Sequence, residues 1–519
     1  MESWAVPRRA WAGALASVGL GFVAGSFEMV ALAASQSLAL SFVQFAMLGV
    51  VAMVLMGALG FAIGAVTSPL HLLLHRARPS TALSAHLTLT GFLLCGYYMW
   101  QAAARIYTDE RAPAAFAMAA MPLGFTGVVY FNARYFLRRA ELGRGAAVPW
   151  LPAAFGLGAF VVGVAGAFQA LRDTGGPHAL ADDRNVLFVT VGGWSQASPA
   201  LEARFAEGAV FGNAVTPAPA ARPGATALHT GLHPLRNRVL FAEDVLGWHY
   251  PTLAELLVKE GYATGAFVSD ATLADSSGLS QGFRVYDDDF SPVVSGLLRL
   301  DLARHLLGDG DGRAAGPTVD RFDAWLAGKL DYPFFAWVHL PAEGADAAIQ
   351  RILDAVEPVR DETFIVITAT HGTPVRTDGG LYDDRVRVPL LVRLPGVGKP
   401  VRVPQQVRLM DLSTTATTWL GVEAKENEGV DLAGFLDGRR SQTIGCTLVG
   451  RAPDGTVQLG LRNNGVKFVS RPGTPGGQLY RLEDDPGEQH DLAADQPEAL
   501  EQAERILAPD SVRLEKLLR

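Results

Sequence analysis

The stretch Asn185-Val186-Leu187-Phe188-Val189-Thr190-Val191-Gly192-Gly193-Trp194 opens the part of the chain that reads as an ordinary folded domain. Its first seven residues form a continuous, mostly apolar run, as expected of a strand buried on both faces of a mostly parallel sheet. The pattern then alternates. Leu201–Glu207 is expected as a short helix, Ala209–Val215 as a second extended piece, Thr252–Glu260 as a helix closed by Gly261, and Thr264–Ser269 as a strand. Phe334–Leu340, Ala347–Val356 and Thr363–Ala369 continue as strand, helix and strand. Such a succession predicts a doubly wound α/β sheet, with ligands at the carboxyl ends of its strands.

Upstream the composition changes. The first third carries no lysine, and up to Arg172 eleven arginines face five acidic residues, a charge of +6 that leaves −14 for the remainder of a chain whose total is −8. An acidic remainder without clustered cations argues against a nucleic-acid partner. Apolar runs near the roughly 20 residues a bilayer requires fall at Ala10–Ala33, Leu40–Val66, Ala82–Ala104, Ala114–Leu137 and Val148–Leu171. The expectation is therefore an all-α transmembrane bundle of five helices over residues 1–172, in contact with the lipid bilayer. A cleaved signal peptide fits less well, because apolar segments follow one another with no mature domain between them.

Arginine placement sets the orientation. Arg8 and Arg9 precede the first run, Arg76 and Arg78 lie between the second and third, and Arg134, Arg138, Arg139 and Arg144 lie around the turn between the fourth and fifth. By the positive-inside rule the amino terminus is cytoplasmic and everything beyond Arg172 lies outside, in the periplasm of a bacterium with two membranes. Localisation is thus expected as multi-pass in the bacterial cytoplasmic membrane. Glu28 is an ionisable group within the first run, and Gly21, Gly25 and Ser26 permit close helix packing. The cysteines Cys95 and Cys446 are not expected to pair.

Beyond a breaker-rich linker at 173–184, the order of parts resembles the sulfatase and alkaline-phosphatase superfamily. The resemblance is carried by Asn185–Val191 with Ala225-Thr226-Ala227-Leu228-His229-Thr230-Gly231, then Leu381-Tyr382-Asp383-Asp384-Arg385-Val386-Arg387-Val388-Pro389, Met410-Asp411-Leu412, and Gln478-Leu479-Tyr480-Arg481-Leu482 with Asp485-Pro486-Gly487-Glu488. It implies an alkaline-phosphatase-like α/β core over 185–425 and a small C-terminal subdomain over 426–519, a short sheet and a final helix. Five spans before such a domain look like the layout of bacterial phosphoethanolamine transferases and lipoteichoic acid synthases.

Enzymes of that superfamily hold divalent metals on carboxylates and imidazole, and place a nucleophile at a helix N-terminus. Here the resemblance puts Gly192 and Gly193 where metal carboxylates would stand, and Ala221 where the nucleophile would stand. Thr370 takes the place of a further carboxylate, while His371 is retained. Ala225, Leu235 and Asn237 occupy other expected Arg or His positions, and the substrate loop shrinks to Pro341-Ala342-Glu343-Gly344. No catalytic residue and no bound metal are therefore expected.

A rebuilt site would draw on His371, His339, His229, His233, Asp270 and Asp275 for zinc, calcium, magnesium or manganese, and on Thr216 or Thr226 as a substitute nucleophile. Candidate ligand-binding residues are Arg222, His371, His339 and Asp270. The leading reading is a pseudoenzyme that binds an envelope component outside the membrane, either an anionic glycan or lipid, or a partner membrane protein. The alternatives are a sulfuric- or phosphoric-ester hydrolase or lipid-linked phosphotransferase with a rebuilt metal site, and a transporter.

Overall fold

A computed structural model of the chain describes parts of 14–21, residues 42–70, 81–93 except 92, and 184–518 except 206, 291–311, 376–378 and 397–400. The chain divides into two compact units, Met1–Thr174 with Ser291–Asp309 and Gly175–Phe290 with Gly310–Arg519.

In the first unit, helix α1 (Phe42–Thr67) is 26 residues long and carries no charged residue. Its side chains are described chiefly from Val54 onward. Over the described residues no helix is long and apolar enough to cross a membrane, and most of the five expected spans, with Glu28, Gly25, Ser26 and Cys95, fall outside those residues. Gly21 rests against the Met56 carbonyl and Gly64 against Ser17, approaches that a Cβ on either glycine would block. Beside them Thr67 Oγ1 bonds the Ile63 carbonyl at 2.9 Å and stands 3.2 Å from Thr90 Oγ1, so buried hydroxyls there are satisfied within the unit.

The second unit is an α/β domain built on a nine-stranded sheet. Its strands are β1 (Asn185–Gly192), β2 (Ala209–Val215), β3 (Ala263–Val268), β4 (Val285–Asp287), β5 (Phe334–Pro341), β6 (Thr363–Ala369), β7 (Arg387–Arg393), β8 (Val401–Val403) and β9 (Val407–Arg408). The order is β4-β3-β5-β1-β6-β7-β2-β8, with β9 also paired to β2. From β4 through β6 every pairing is parallel, whereas β7 runs antiparallel to both β6 and β2.

Because β1 is flanked by β5 on one side and β6 on the other, the strand order reverses direction at β1, and a crevice opens beyond its carboxyl end. Its apolar run is buried throughout, as a strand covered on both faces requires. Between the layers Phe188, Phe283, Phe335 and Trp337 pack with ring centroids 5.3–6.1 Å apart in the closer pairs.

Helix α2 (Ala221–Thr230) follows β2 and ends at Gly231 in the left-handed conformation, φ 65°. Helix α3 (Leu253–Lys259) begins with a complete capping box: Thr252 accepts from the Glu255 N–H, and Glu255 reaches back to the Thr252 N–H. Helices α4 (Ala315–Leu326) and α5 (Ala345–Ala355) flank β5. A second, antiparallel sheet of β10 (Cys446–Arg451), β11 (Val457–Asn463), β12 (Val466–Ser470) and β13 (Gln478–Arg481) packs on the final helix α6 (Pro497–Leu518), burying Val449, Leu459, Phe468, Leu479 and Leu507 between them.

Candidate functional site

Four parallel strands end at one level. Their register sets Gly192 of β1 beside Pro341 of β5, and His339 of β5 between Thr190 and Val268. Beyond these ends lies an open cleft of about 1020 Å³, lined by Gly192, Gly193, Ser269, Asp270, His339 and His371 together with the α4 and α5 starts and Arg313. Its place is the one that sheet topology assigns to ligands.

His339 is fully buried. Trp337 Nε1 donates to Thr190 Oγ1 at 2.9 Å, and that hydroxyl lies 2.8 Å from His339 Nδ1. The Thr190 hydroxyl accepts the indole N–H, and its own proton has no acceptor among the described residues other than His339 Nδ1, so satisfying that proton assigns the hydroxyl as donor to Nδ1. The proton of the neutral ring then sits on Nε2, which has no protein partner. Burial pushes the imidazole down to about 4, against the opposing pull of Asp270 and with a small contribution from His371.

His371 follows β6, with Nδ1 3.1 Å from Thr370 Oγ1, and burial lowers its pKa too, Asp270 opposing and Arg385 assisting. Its carbonyl accepts the Trp194 N–H at 3.1 Å, tying the end of β1 to the end of β6. Trp194 itself is buried in the core and does not line the cleft.

The glycines of β1 face these rings. A Cβ at Gly192 would stand 3.4 Å from His339 Nε2, and one at Gly193 would stand 3.8 Å from His371 Nε2. Gly193 has φ 65°, which disfavours any side chain there.

The donor set decides whether a divalent cation fits. Gly192 and Gly193 offer no ligand atom, Thr370 is buried and spent on His371, and Asp270 Oδ1 accepts from Thr272 N–H and Oγ1, both at 2.8 Å. His339 would free an Nε2 lone pair only in the tautomer that donates Nδ1–H to Thr190 Oγ1, which leaves the buried Thr190 hydroxyl proton without an acceptor among the described residues. Among the described residues no three His, Cys, Asp or Glu side chains gather closely enough to hold an ion. The residues present do not fit the metal that the fold implies.

Ala221 occupies the first turn of α2, its methyl group buried. Arg222 requires a correction. The sequence suggests that it flanks the cleft with His371, but its guanidinium donates to the Thr272 carbonyl at 2.7 Å and the Asp244 carbonyl at 2.8 Å, and it is not part of the cleft lining. His229 is also elsewhere, in the aromatic core 4.3 Å from Trp337 centroid to centroid. His233 caps the next turn, with Nδ1 accepting the Leu235 N–H. Thr226 is buried in α2 and its hydroxyl makes no hydrogen bond, while Thr216 donates to the Ala218 carbonyl at 3.2 Å.

Two cations of the cleft escape a sequence reading. Arg313 is buried and bonds Asp287 Oδ1 at 2.5 Å, the Asp289 and Val268 carbonyls at 3.2 Å each, and Thr318 Oγ1 at 3.0 Å. Arg351 on α5 reaches Asp320 at 2.9 Å and Asp323 at 2.7 Å on α4. Both guanidinium groups are engaged by the protein.

A sulfatase family model matches residues 341–422, from the end of β5 across β6 and β7. No curated protein matches the chain in sequence. Among solved structures, the phosphonate monoester hydrolase of Agrobacterium radiobacter superposes with a TM-score of 0.52 at 19% identity, over 64% of this chain and 96% of the hydrolase. Ps i-CgsB, solved with a neocarrahexaose, gives 0.53 at 16% identity over 64% and 93%. BT1596, a 2-O GAG sulfatase, gives 0.51 at 18% identity over 64% and 93%. At these identities the likeness shows the fold alone: the α/β domain has a sulfatase-like fold.

Proposed function

We propose that this chain is a membrane-anchored, extracytoplasmic sulfatase-fold protein that binds an envelope component or a partner protein without hydrolysing it. The observation that carries this reading is the first turn of α2, where Ala221, at the position to which the resemblance assigns the nucleophile, offers only a methyl group. Glycine in place of both β1 carboxylates supports it independently, since an anionic-ester hydrolase needs positive charge to stabilise the developing negative charge. The arginine asymmetry of the first 172 residues supports the anchor and the outward orientation.

The test uses the full chain, exposed in turn to zinc, calcium, magnesium and manganese, with elemental analysis of bound metal and assays on aryl sulfate, phosphate and phosphonate esters. The expected result is no turnover above background. Metal near one equivalent, with turnover that His371→Ala abolishes, overturns the reading in favour of a rebuilt hydrolase.

A further inference from the structure

Among the described residues one buried polar atom of the cleft is met by no protein group: Nε2 of His339. With the Thr190 hydroxyl accepting from Trp337 Nε1–H and donating to His339 Nδ1, the proton of the neutral ring lies on Nε2, which makes that nitrogen an N–H donor. A buried donor without an acceptor costs about 1–3 kcal/mol, a cost that a ligand oxygen in the cleft would remove.

Charge narrows the ligand. Arg313 is spent on Asp287 and on backbone carbonyls, and Arg351 on Asp320 and Asp323. Asp270 and Glu343, by contrast, have no cationic side chain paired to them among the described residues, and both line the cleft. A sulfate or phosphate group entering here would be stripped of water beside carboxylates, with no free cation among the described residues to receive it. The remaining wall is small and largely apolar, including Ala314, Gly316, Pro341 and Ala342. A space of about 1020 Å³ is at the upper end of ligand-site volumes and admits several linked rings.

We propose that the cleft binds an uncharged, hydroxyl-rich ligand, a neutral glycan, with His339 Nε2–H donating to a ligand oxygen and the Asp270 carboxylate accepting from a ligand hydroxyl. The inference rests on the non-hydrolytic reading above and turns its ligand from an anionic glycan to an uncharged one. A sugar hydroxyl both donates and accepts, which suits a site with one fixed donor and one carboxylate. Oδ1 of Asp270 already caps Thr272, so the carboxylate is held in place before any ligand arrives.

The test is calorimetric titration of the full chain, purified in a detergent without a sugar headgroup. The probes are uncharged oligosaccharides of glucose, mannose and N-acetylglucosamine, each paired with its sulfated counterpart. At least one uncharged probe binds, its sulfated counterpart binds at least about tenfold more weakly, and His339→Phe weakens the uncharged probe by about tenfold. Phe at 339 removes the unpartnered Nε2 but also the acceptor of the buried Thr190 hydroxyl, two effects of opposite sign, so a melting temperature close to that of the wild type shows that lost binding is not lost folding. Asp270→Asn, which keeps the cap on Thr272, narrows the gap between sulfated and uncharged probes. Tighter binding of a sulfated probe, or no binding by any uncharged one, overturns the inference and leaves the non-hydrolytic reading in place. Release of sulfate from a probe overturns that reading instead.

Discussion

Lys467 is the perturbation that most directly probes how the small sheet is fastened to the α/β core. It lies on β12 with no solvent exposure, its ammonium 2.9 Å from Glu488 Oε1 and 3.4 Å from Asp383 Oδ1. Arg462, also buried, grips both oxygens of Asp383 at 2.8 Å and donates to Gln406 as well. Glu488 Oε2 accepts the Asp383 N–H at 2.7 Å, so the start of the short helical turn Asp383–Val386 is bound to both β-strand cations and to the C-terminal segment.

Lys467→Met keeps the volume of the stem but removes the cation 2.9 Å from the buried Glu488 carboxylate. Removing one member of a buried ion pair costs about 3–5 kcal/mol, which for a unit of this size lowers the melting temperature by roughly 4–7 °C.

The pH dependence carries a sign. Burial pushes Asp383 up but is outweighed by Arg462 and Lys467, which hold it below the usual carboxylate range; its contribution is present at neutral pH and is lost as acid protonates it. Burial raises Glu488 despite Lys467, so it favours the folded state less as pH rises through its folded pKa. Without Lys467 the Glu488 pKa rises further. The deficit of Lys467→Met is therefore larger at about pH 8 than at about pH 5, and Lys467→Met with Glu488→Gln regains part of it. Tryptophan-fluorescence melts of the full chain at the two pH values read both effects. A deficit below about 1 kcal/mol, or one equal at both pH values, would refute the reasoning.

Three further outcomes are expected. His229 is buried among Phe188, Phe283, Phe335 and Trp337 with both ring nitrogens unpartnered, so His229→Phe stabilises by about 1–3 kcal/mol in the same melts. Burial drives its pKa from 6.5 to about 3, so the wild type loses stability as pH falls through that window and the advantage of the variant grows on acidification; an advantage that shrinks in acid sinks the idea. Gly224 on α2 lies against the Thr370 carbonyl at the end of β6, too close for a Cβ, and Gly224→Ala costs about 1–3 kcal/mol by forcing the helix away, read as a lowered melting temperature. Ala221→Ser with Gly192→Asp restores a hydroxyl and one carboxylate, yet aryl-ester turnover stays at background because Thr370 and Gly193 remain; turnover above background would show that the loss is confined to two residues.

Much of the scaffold is legible from the sequence, for identifiable reasons. Thr363–Ala369 is bounded as expected, because a strand buried on both faces leaves a continuous apolar run between polar ends. Helix α3 is marked by its Thr252 and Glu255 capping box. The helix after β1 is displaced from the expected Leu201–Glu207 to Pro199–Arg204, because Ser198 caps it and Pro199 takes its first turn.

The direction of β7 is not legible: Arg387–Arg393 has the apolar content of its parallel neighbours, and only long-range pairing makes it antiparallel. Within the site, strand-end positions are legible, and His339, His371, Asp270, Gly192 and Gly193 do converge. Arg222 adjoins a motif in sequence yet turns to backbone carbonyls of other loops. Arg313 enters from a segment that no periodicity marks; its nearest signal is Gly312, whose φ of 145° admits little else.

On the non-hydrolytic function proposed above, the features of the cleft belong together electrostatically. In a low-dielectric cleft a lone carboxylate on β1 would require a cation, and removing both carboxylates removes that requirement. Once the cation is gone, the flanking imidazoles no longer need to present lone pairs. The Trp337 to Thr190 relay turns His339 outward as a donor, while Thr370 holds His371 by its inner nitrogen. Arg313, which would otherwise leave unbalanced positive charge beside two neutral rings, is neutralised by Asp287 and held by Thr318. A site that had only lost its nucleophile would retain buried carboxylates without a cation to satisfy them. The cleft instead pairs its buried Arg313 internally and leaves over one neutral donor and the more exposed carboxylates Asp270 and Glu343, the arrangement that the proposed uncharged, hydroxyl-rich ligand would meet.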